Sequence, residues 1–313
     1  MNVDLMQFAI SSLNATVAAG TVLLLASLGE AISEKGGILN LGVEGMILVG
    51  AISGFIAAQA SGSLVVAVLA GMAAGGLLAL IHAFLTVSLR ANQVVSGLAL
   101  TIFGTGTASF LGKSFVGIQS VVRFEDIPIP GLSSIPFIGP IFFDQDILVY
   151  ASILLVPVVW FVLNKTHLGL KIRSAGENPA ATDAAGINVF AVRYGCTIAG
   201  GMFSGLAGVF LALAYNSQWM ENISAGRGWI AVALVIFAMW NPWKALVGSY
   251  LFGLVGILGL RLQAIGVRVP DAFFSMLPYI LTIVVLIFVT GRLKGRGDGA
   301  PAALSVAYDR EAR

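Results

Sequence analysis

A small set of polar residues lies at the start of long apolar segments, where hydrogen-bonding groups would face the interior of a helical bundle. Asn40 and Glu44 are four residues apart, so a helix would place both on one face. Asn92 and Ser96 have the same spacing, with Gln93 beside them. Polar side chains in such segments are costly and often functional. We therefore expect a path for a polar solute, built from these groups and one indole ring: Asn40, Glu44, Asn92, Gln93, Ser96 and Trp219.

The role of Glu44 is open between two interpretations, a structural hydrogen bond and a gate. Residue types that perform catalysis or bind metals are sparse. Cys196 is the single cysteine, so neither an internal disulfide nor a cysteine metal cluster can form. His82 has no ionisable partner in register, which is typical of a hydrogen-bonded neutral histidine. The predicted spans hold no Ser/His/Asp set, metal-spaced histidines or carboxylate pair, so we do not expect an enzyme.

The chain also lacks the phosphate loop Gly-x-x-x-x-Gly-Lys-Ser/Thr. We therefore expect it to bind no ATP or other cofactor itself, and any energy would come from a partner or an ion gradient. The net charge of +2 is too small to suggest nucleic acid as a partner.

Composition places these residues in a membrane protein. Hydrophobic residues make up 58% of the 313 residues and charged residues 10%, and the mean hydropathy is +0.95. We expect an all-α polytopic bundle of about 8–10 spans in one domain over 1–313. The candidate spans are 7–29, 40–60, 64–88, 92–112, 147–164, 191–215, 229–241, 244–261 and 272–291.

Two of these candidates are irregular. The segment 229–241 is short for a bilayer of about 30 Å, so it is a candidate for a re-entrant or broken helix. The segment 40–60 begins among glycines and could start deep in the membrane. Trp240 and Trp243 flank Asn241-Pro242 and are expected to anchor the inner boundary.

Basic residues orient the bundle. Of the 17 Lys and Arg, 12 lie in loops near 30–39, 89–91, 165–193 and 241–244 or in a polar tail over 292–313, which the positive-inside rule assigns to the cytoplasm. The N-terminus is then outside. The long outer connection 113–146 carries four prolines, which stop regular helix, and it is either a plain surface loop or a platform for an outer partner.

The cytoplasmic loop over about 165–190 contains "ENPAATDAAG" at 177–186. Asn178 is a good N-cap, Pro179 fits the first helical position, and Gly186 fits the position that ends a helix. The pattern predicts a helix over 179–185. A helix this short is unstable alone, so it must pack on its own bundle or in a groove of a partner. Lys171 and Arg173 would meet lipid phosphates or acidic partner residues.

Three segments carry a family resemblance. "GLKIRSAGENPAATDAAGIN" at 169–188 resembles the cytoplasmic coupling loop of ABC-importer permeases in the branched-chain amino acid, ribose and nucleoside group. "EKGGILNLGVEGMILVGA" at 34–51 and "ISAGRGWIAVALVIFAMWNP" at 223–242 resemble two further signatures, most closely those of the nucleoside and simple-sugar branch. Ala238 stands where many relatives have glycine.

The resemblance implies an inner-membrane permease subunit that pairs with a second, identical or similar subunit. Separate ATPase subunits would use ATP and bind the cytoplasmic face, and an external binding protein would deliver substrate. The coupling residues that it implies are Glu177, Asn178, Pro179, Ala180, Asp183 and Gly186.

Two alternatives stay open from the sequence. A branched-chain amino acid could be the cargo, with its charges bound at the termini of half-helices. An ion-coupled carrier that works alone would need intramembrane Asp or Glu pairs, and the predicted spans hold little acid besides Glu44.

Overall fold

A computed structural model describes residues 5–264, 270–293 and 299–310. The first half contains four long helices, each apolar enough for a membrane. These are α1 (Leu5–Lys35), α2 (Val43–Ser61), α3 (Leu64–Ala83) with a π-helical turn at Phe84–Ser88, and α4 (Gln93–Gly112) with a 3₁₀ turn at Lys113–Phe115. Short turns join α2 to α3 and α3 to α4, so these helices alternate in direction.

The middle of the chain is shorter and more polar. Strands β1 (Asp126–Pro128) and β2 (Asp144–Asp146) pair antiparallel, with helix α5 (Ile138–Phe142) between them. The expectation that prolines exclude helix from 113–146 is wrong for these five residues, because a single turn needs few internal N–H donors. Helix α6 (Ile147–Lys165) follows, then α7 (His167–Glu177) and α8 (Pro179–Ala184).

The last part returns through the membrane. Helix α9 (Val189–Phe210) continues in a π-helical turn at Leu211–Tyr215, followed by α10 (Arg227–Phe237), α11 (Pro242–Ala264) and α12 (Asp271–Leu293). Arg268, Lys294, Arg296 and Arg313, which the charge count used, lie outside the described residues.

The described residues contain seven helices long and apolar enough to cross a membrane, and this confirms an all-α membrane bundle. The predicted span at 229–241 is different. Helix α10 has 11 residues, so at 1.5 Å per residue it covers only about 16 Å. It is therefore a half-helix, and the residues that precede it, 216–226, are not helical. Exposed apolar side chains, such as Leu69 on α3 and Phe110 on α4, suit contact with lipid.

Glycines let α2, α3 and α9 pack at very short range. A Cβ atom on Gly205 would lie 2.2 Å from the Gly71 carbonyl oxygen, and one on Gly50 would lie 2.4 Å from the Gly205 Cα. Backbone contact of this kind is the use that membrane helices make of small residues. In the sequence, Gly71 and Gly75 are four residues apart, as are Gly201 and Gly205, and this spacing predicts close packing of helices. The contacts confirm that prediction for all four glycines.

Residues 36–42 fold back into the bundle instead of forming a surface loop. Ser33 Oγ donates to the Ile38 carbonyl (2.9 Å), and the Asn40 amide donates to Glu30 Oε1 (2.9 Å). Val43 then joins a core cluster with Val22 and Leu25. Both residues lie well before the end of α1 at Lys35. Helix α2 thus begins inside the bundle, as its glycines suggested.

Candidate functional site

The polar loop forms the predicted helix. The Ala181 amide donates to Asn178 Oδ1 (2.9 Å), and Pro179 occupies the first turn of α8. Gly186 has φ +81 and its amide donates to the Asp183 carbonyl (2.9 Å), which ends the helix. Thr182 is buried and its hydroxyl donates to the Asn178 carbonyl (2.8 Å).

The predicted coupling residues lie in α8 and at its two ends. Glu177, Asn178, Ala180 and Gly186 are exposed, whereas Pro179 and Asp183 are half-buried. The exposed side of α8 lies on the same end of the bundle as Lys35, Arg90, Lys165, Arg173 and Arg193, which we call the basic face. Contact of these residues with an ATPase stays a prediction.

The chain itself supplies packing for α8, which is one of the two interpretations left open by its length, although the segment that provides it was not predicted. Residues 299–310, which we call the strap, lie across the α7–α8 loop. The Ala303 amide donates to the Gly176 carbonyl (2.8 Å), and Arg310 donates to both carboxylate oxygens of Asp183 (2.7 and 2.5 Å). The Arg310 hydrogen bonds hold the pKa of Asp183 below its usual range. The helix is therefore held before any partner binds.

The strap also joins α8 to the rest of the basic face. Lys35 Nζ donates to the Gly299 carbonyl (2.8 Å), Arg193 donates to the Val306 carbonyl (2.9 Å), and Arg90 pairs with Asp309 (2.5 Å). The rings of Phe190 and Tyr308 are 5.8 Å apart. One segment thus connects α8 with the end of α1, the start of α9 and the turn before α4.

The residues of the predicted solute path separate into three groups. The first group holds the turn before α2. Gln93 Oε1 accepts the Leu39 amide (2.7 Å) and Asn40 Oδ1 accepts the Gly42 amide (3.0 Å). His82 lies 3.0 Å from Ser96 Oγ and 3.1 Å from the Leu39 carbonyl, so both ring nitrogens have partners and the structural interpretation of this histidine fits.

Glu44 forms the second group, and it binds the start of α10. One carboxylate oxygen accepts the Ser224 hydroxyl (2.5 Å) and the Gly226 amide (2.8 Å), and the other accepts the Gly228 amide (2.6 Å). The two amides are orphan donors of the α10 N-terminus, which a carboxylate stabilises. These contacts fit the interpretation of Glu44 as a structural hydrogen-bonding residue. They do not provide evidence that it acts as a gate.

Asn92 and Trp219 lie apart from both groups. Asn92 caps α4 by accepting the Val94 and Val95 amides, at 3.0 and 3.1 Å. Trp219 is 1% exposed and packs on Phe55 and against Gly112, where a Cβ atom would lie 2.2 Å from the indole Nε1. Neither side chain lines a described cavity, and their role in a path stays a prediction.

A buried acidic pair corrects the sequence analysis. Because α1 continues to Lys35, Glu30 and Glu34 are inside the bundle and fully buried. Glu34 Oε2 accepts Trp240 Nε1–H (2.5 Å), and Trp240 is only 7% exposed, so it is not the boundary anchor that was predicted. Trp243 is 46% exposed and fits that role. If α1 is extended to Lys35, Glu30 and Glu34 are four residues apart on one helix face, and this spacing could have indicated the pair.

A cleft of about 440 Å³ opens between α1, α10, α11 and α12. It lies beside the start of the half-helix α10, and sequence reasoning did not find it, because its residues come from distant segments. Its wall combines four aromatic rings with the polar side chains of Arg227 and Gln263, and two of the rings carry hydroxyl groups. These residues are Tyr215, Arg227, Phe252, Gln263, Phe274 and Tyr279.

The outer loop is folded rather than plain. Asn14 Nδ2 donates to the Pro140 carbonyl (2.7 Å), and the Tyr150 hydroxyl donates to the Ile127 carbonyl (3.1 Å), which fix the loop on α1 and α6. Backbone hydrogen bonds also join Gly117 to Trp219 and Phe124 to Leu213. These contacts fix the loop on the bundle, and its contact with an outer partner stays a prediction.

Comparisons with known proteins agree with this architecture. Residues 11–286 match the family described as branched-chain amino acid transport system / permease component. The chain is 44% identical to the putative glucose ABC transporter permease protein TsgC13 of Haloferax volcanii, covering 98% of this chain and 99% of that one. It is 37% identical to the guanosine ABC transporter permease protein NupQ of Bacillus subtilis, covering 97% and 98%.

A third relative is the nucleoside ABC transporter permease protein NupC of Lactococcus lactis, 36% identical over 89% of this chain and 92% of that one. No solved structure matches the chain.

Proposed function

The chain belongs to the family of branched-chain amino acid transport permeases of ABC transporters, and from that premise we propose that it carries nucleosides or related simple sugars into the cell. It is a multi-pass protein of the cell membrane. In this proposal an external binding protein delivers the substrate, a second permease subunit completes the pathway, and separate ATPase subunits bind the basic face in the cytoplasm.

The observation that carries the proposal is helix α8. It is a capped, two-turn helix on the basic face, between the membrane helices α6 and α9, and its Asn178–Ala180 side is exposed. A helix of this length has no use as a span and little stability of its own. Its position suits a contact through which an ATPase moves the bundle.

The half-helix α10 favours an uncharged cargo over a branched-chain amino acid. A half-helix N-terminus is a good site for a substrate carboxylate. Here the Glu44 carboxylate already occupies the amides of Gly226 and Gly228. An amino acid would have to displace a buried internal carboxylate, whereas a nucleoside or sugar needs no such site. The names of the three relatives, two nucleoside permeases and one glucose permease, support the same choice.

Transport has two candidate energy sources: ATP hydrolysis by a partner and, in the ion-coupled alternative, an ion gradient. That alternative was disfavoured because the spans seemed to lack acidic pairs, and the buried pair Glu30 and Glu34 removes this argument. Family membership and α8 now support ATP-driven transport instead.

Uptake of labelled uridine, glucose, ribose and leucine tests the proposal. Cells that lack or express the chain with its genomic neighbours are compared, with and without ATP depletion that preserves the ion gradient. We expect ATP-dependent uptake of uridine or of a sugar. Leucine as the sole cargo would contradict the substrate proposal, and uptake that survives ATP depletion would contradict the coupling.

A further inference from the structure

The cleft beside α10 lies at intermediate depth in the bundle. Its α1 residues, Ala19 and Leu23, are about 18–24 Å from the Lys35 end of the helix at 1.5 Å per residue. That distance is more than half of a hydrocarbon core of about 30 Å. Arg227, the first residue of α10, lines the same cleft.

Arg227 is an unusual group at this depth. One of its terminal nitrogens donates to the Ile223 and Ser224 carbonyls (3.3 and 3.2 Å), and its guanidinium lies 5.3 Å from the centre of the Tyr215 ring. Among residues 5–264, 270–293 and 299–310, no carboxylate lies within salt-bridge distance of it. A guanidinium has five N–H donors, so it can still donate to a ligand in the cleft. An ionisable group kept inside a membrane usually marks a functional site.

The backbone around Arg227 already binds one carboxylate. Glu44 accepts the amides of Gly226 and Gly228, on both sides of Arg227, and uses none of the guanidinium donors. A ligand carboxylate at these amides would have to displace Glu44. The site therefore suits a neutral ligand that offers oxygen acceptors to the guanidinium.

Aromatic rings form much of the remaining wall. Tyr215, Phe252, Phe274 and Tyr279 come from three different elements and line one cavity. Tyr279 reaches the start of the half-helix, where a Cβ atom on Gly226 would lie 2.4 Å from its hydroxyl. Rings in this arrangement can stack on a flat ligand. The volume of about 440 Å³ is within the range of small-molecule sites.

We propose that this cleft is an intramembrane site that holds a neutral nucleoside in transit, with its base against the rings of Tyr215 and Tyr279 and its oxygen atoms accepting from Arg227. The inference rests on the proposed function, and it selects the nucleoside branch over the sugar branch. A sugar can pack only C–H groups on these rings, whereas a nucleobase adds a flat π face that stacks on them.

Photo-crosslinking tests the location directly. The complete importer, with its ATPase and binding protein, is reconstituted in liposomes and illuminated with 4-thiouridine during ATP-driven transport. We expect the crosslinked peptides to contain Tyr215 or Tyr279 and excess uridine to suppress them. Crosslinks confined to other membrane segments, or no specific crosslink while uridine is transported, would overturn the site and leave the proposed function intact.

Two substitutions add a kinetic test. Tyr215→Leu and Tyr279→Leu each remove one of the two rings that hold the base, and Phe161→Leu on α6 is the control outside the cleft. Loss of a stacking contact is worth on the order of a tenfold change in affinity, so we expect KM for uridine to rise by about that factor in the two cleft variants only. An equal effect in Phe161→Leu would contradict the site.

The same assay separates the two levels of the proposal. Glucose uptake without uridine uptake would overturn the nucleoside site while the proposed importer function stands. No ATP-dependent uptake of any nucleoside or sugar would mean that the proposed function itself is wrong.

Discussion

Glu44 supplies the hydrogen-bond acceptors that the N-terminus of the short helix α10 lacks. Its two carboxylate oxygens accept three hydrogen bonds from residues 180 to 184 positions further along the chain. Nothing local in the sequence predicts these partners. Asn178 is the opposite case, because its partner is the amide of Ala181, three residues away, and the cap was predicted from spacing alone.

Substitution of Glu44 separates a structural role from a gate. Glu44→Ala leaves the buried Gly228 amide, the buried Ser224 hydroxyl and the half-buried Gly226 amide without an acceptor. A buried donor left without an acceptor costs about 1–3 kcal/mol. We expect a loss of more than about 2 kcal/mol in the free energy of unfolding, and a smaller loss for Glu44→Gln, which keeps a carbonyl acceptor. Thermal unfolding of the purified permease measures both. A Glu44→Gln protein of unchanged stability that fails in uptake would instead support the gate.

At the scale of elements, the strap and α8 form one unit. Helix α8 is predictable from sequence because its cap, proline and glycine are close together in the chain. The strap is not, since it has no periodic apolar pattern and its contacts are with residues more than 100 positions away. Residues 292–313 were therefore predicted only as a polar tail. Its matching charges, Asp309 with Arg90 and Arg310 with Asp183, are visible only in three dimensions.

A charge exchange tests the strap. Asp183→Arg and Arg310→Asp should each release α8, and the double variant should restore the pair with reversed charges. Hydrogen exchange at the amides of residues 178–186 is the measurement. We expect faster exchange in each single variant and recovery in the double variant.

The exchange needs a control for general effects of charge. Arg123→Asp changes an exposed basic residue on the outer loop, and it should leave exchange in α8 unchanged. A double variant that exchanges as fast as the single variants would show that the Asp183–Arg310 contact does not hold the helix.

The half-helix α10 marks the limit of span prediction. Its short apolar run indicated a broken segment, which the structure confirms. The sequence did not show at what depth the helix begins, since that depends on where Glu44 and α1 lie. The missed pair Glu30 and Glu34 has the same cause: the end of α1 was placed six residues too early.

For the whole molecule, close backbone contacts between α2, α3 and α9 set the arrangement of the helices. The glycine spacing predicted such contacts, but not which helices meet. Gly205 and Gly195 both lie on α9, but the space around them is very different. A Cβ atom on Gly205 would lie 2.2 Å from the Gly71 carbonyl oxygen, whereas one on Gly195 would meet nothing within 4 Å.

This contrast predicts opposite effects of one substitution. Gly205→Ala forces α3 and α9 apart and should lower the free energy of unfolding by about 1–3 kcal/mol. Gly195→Ala should be neutral or stabilising by up to about 1 kcal/mol, because alanine favours helix. Thermal unfolding of the two variants in the same detergent makes the comparison. Equal effects would mean that the three helices do not pack as described.

The measurement that tests the account most directly follows uridine uptake and ATP hydrolysis together in liposomes that contain the complete importer. It compares the native chain with a variant in which Pro179–Ala184 is replaced by a Gly-Ser linker, and with Asn178→Asp, which keeps a capping oxygen. We predict ATP-driven uptake in the native chain and in Asn178→Asp, and loss of both uptake and ATPase binding in the linker variant. Uptake that proceeds without ATP, or that persists with the linker, would contradict the claim that an ATPase drives this permease through helix α8.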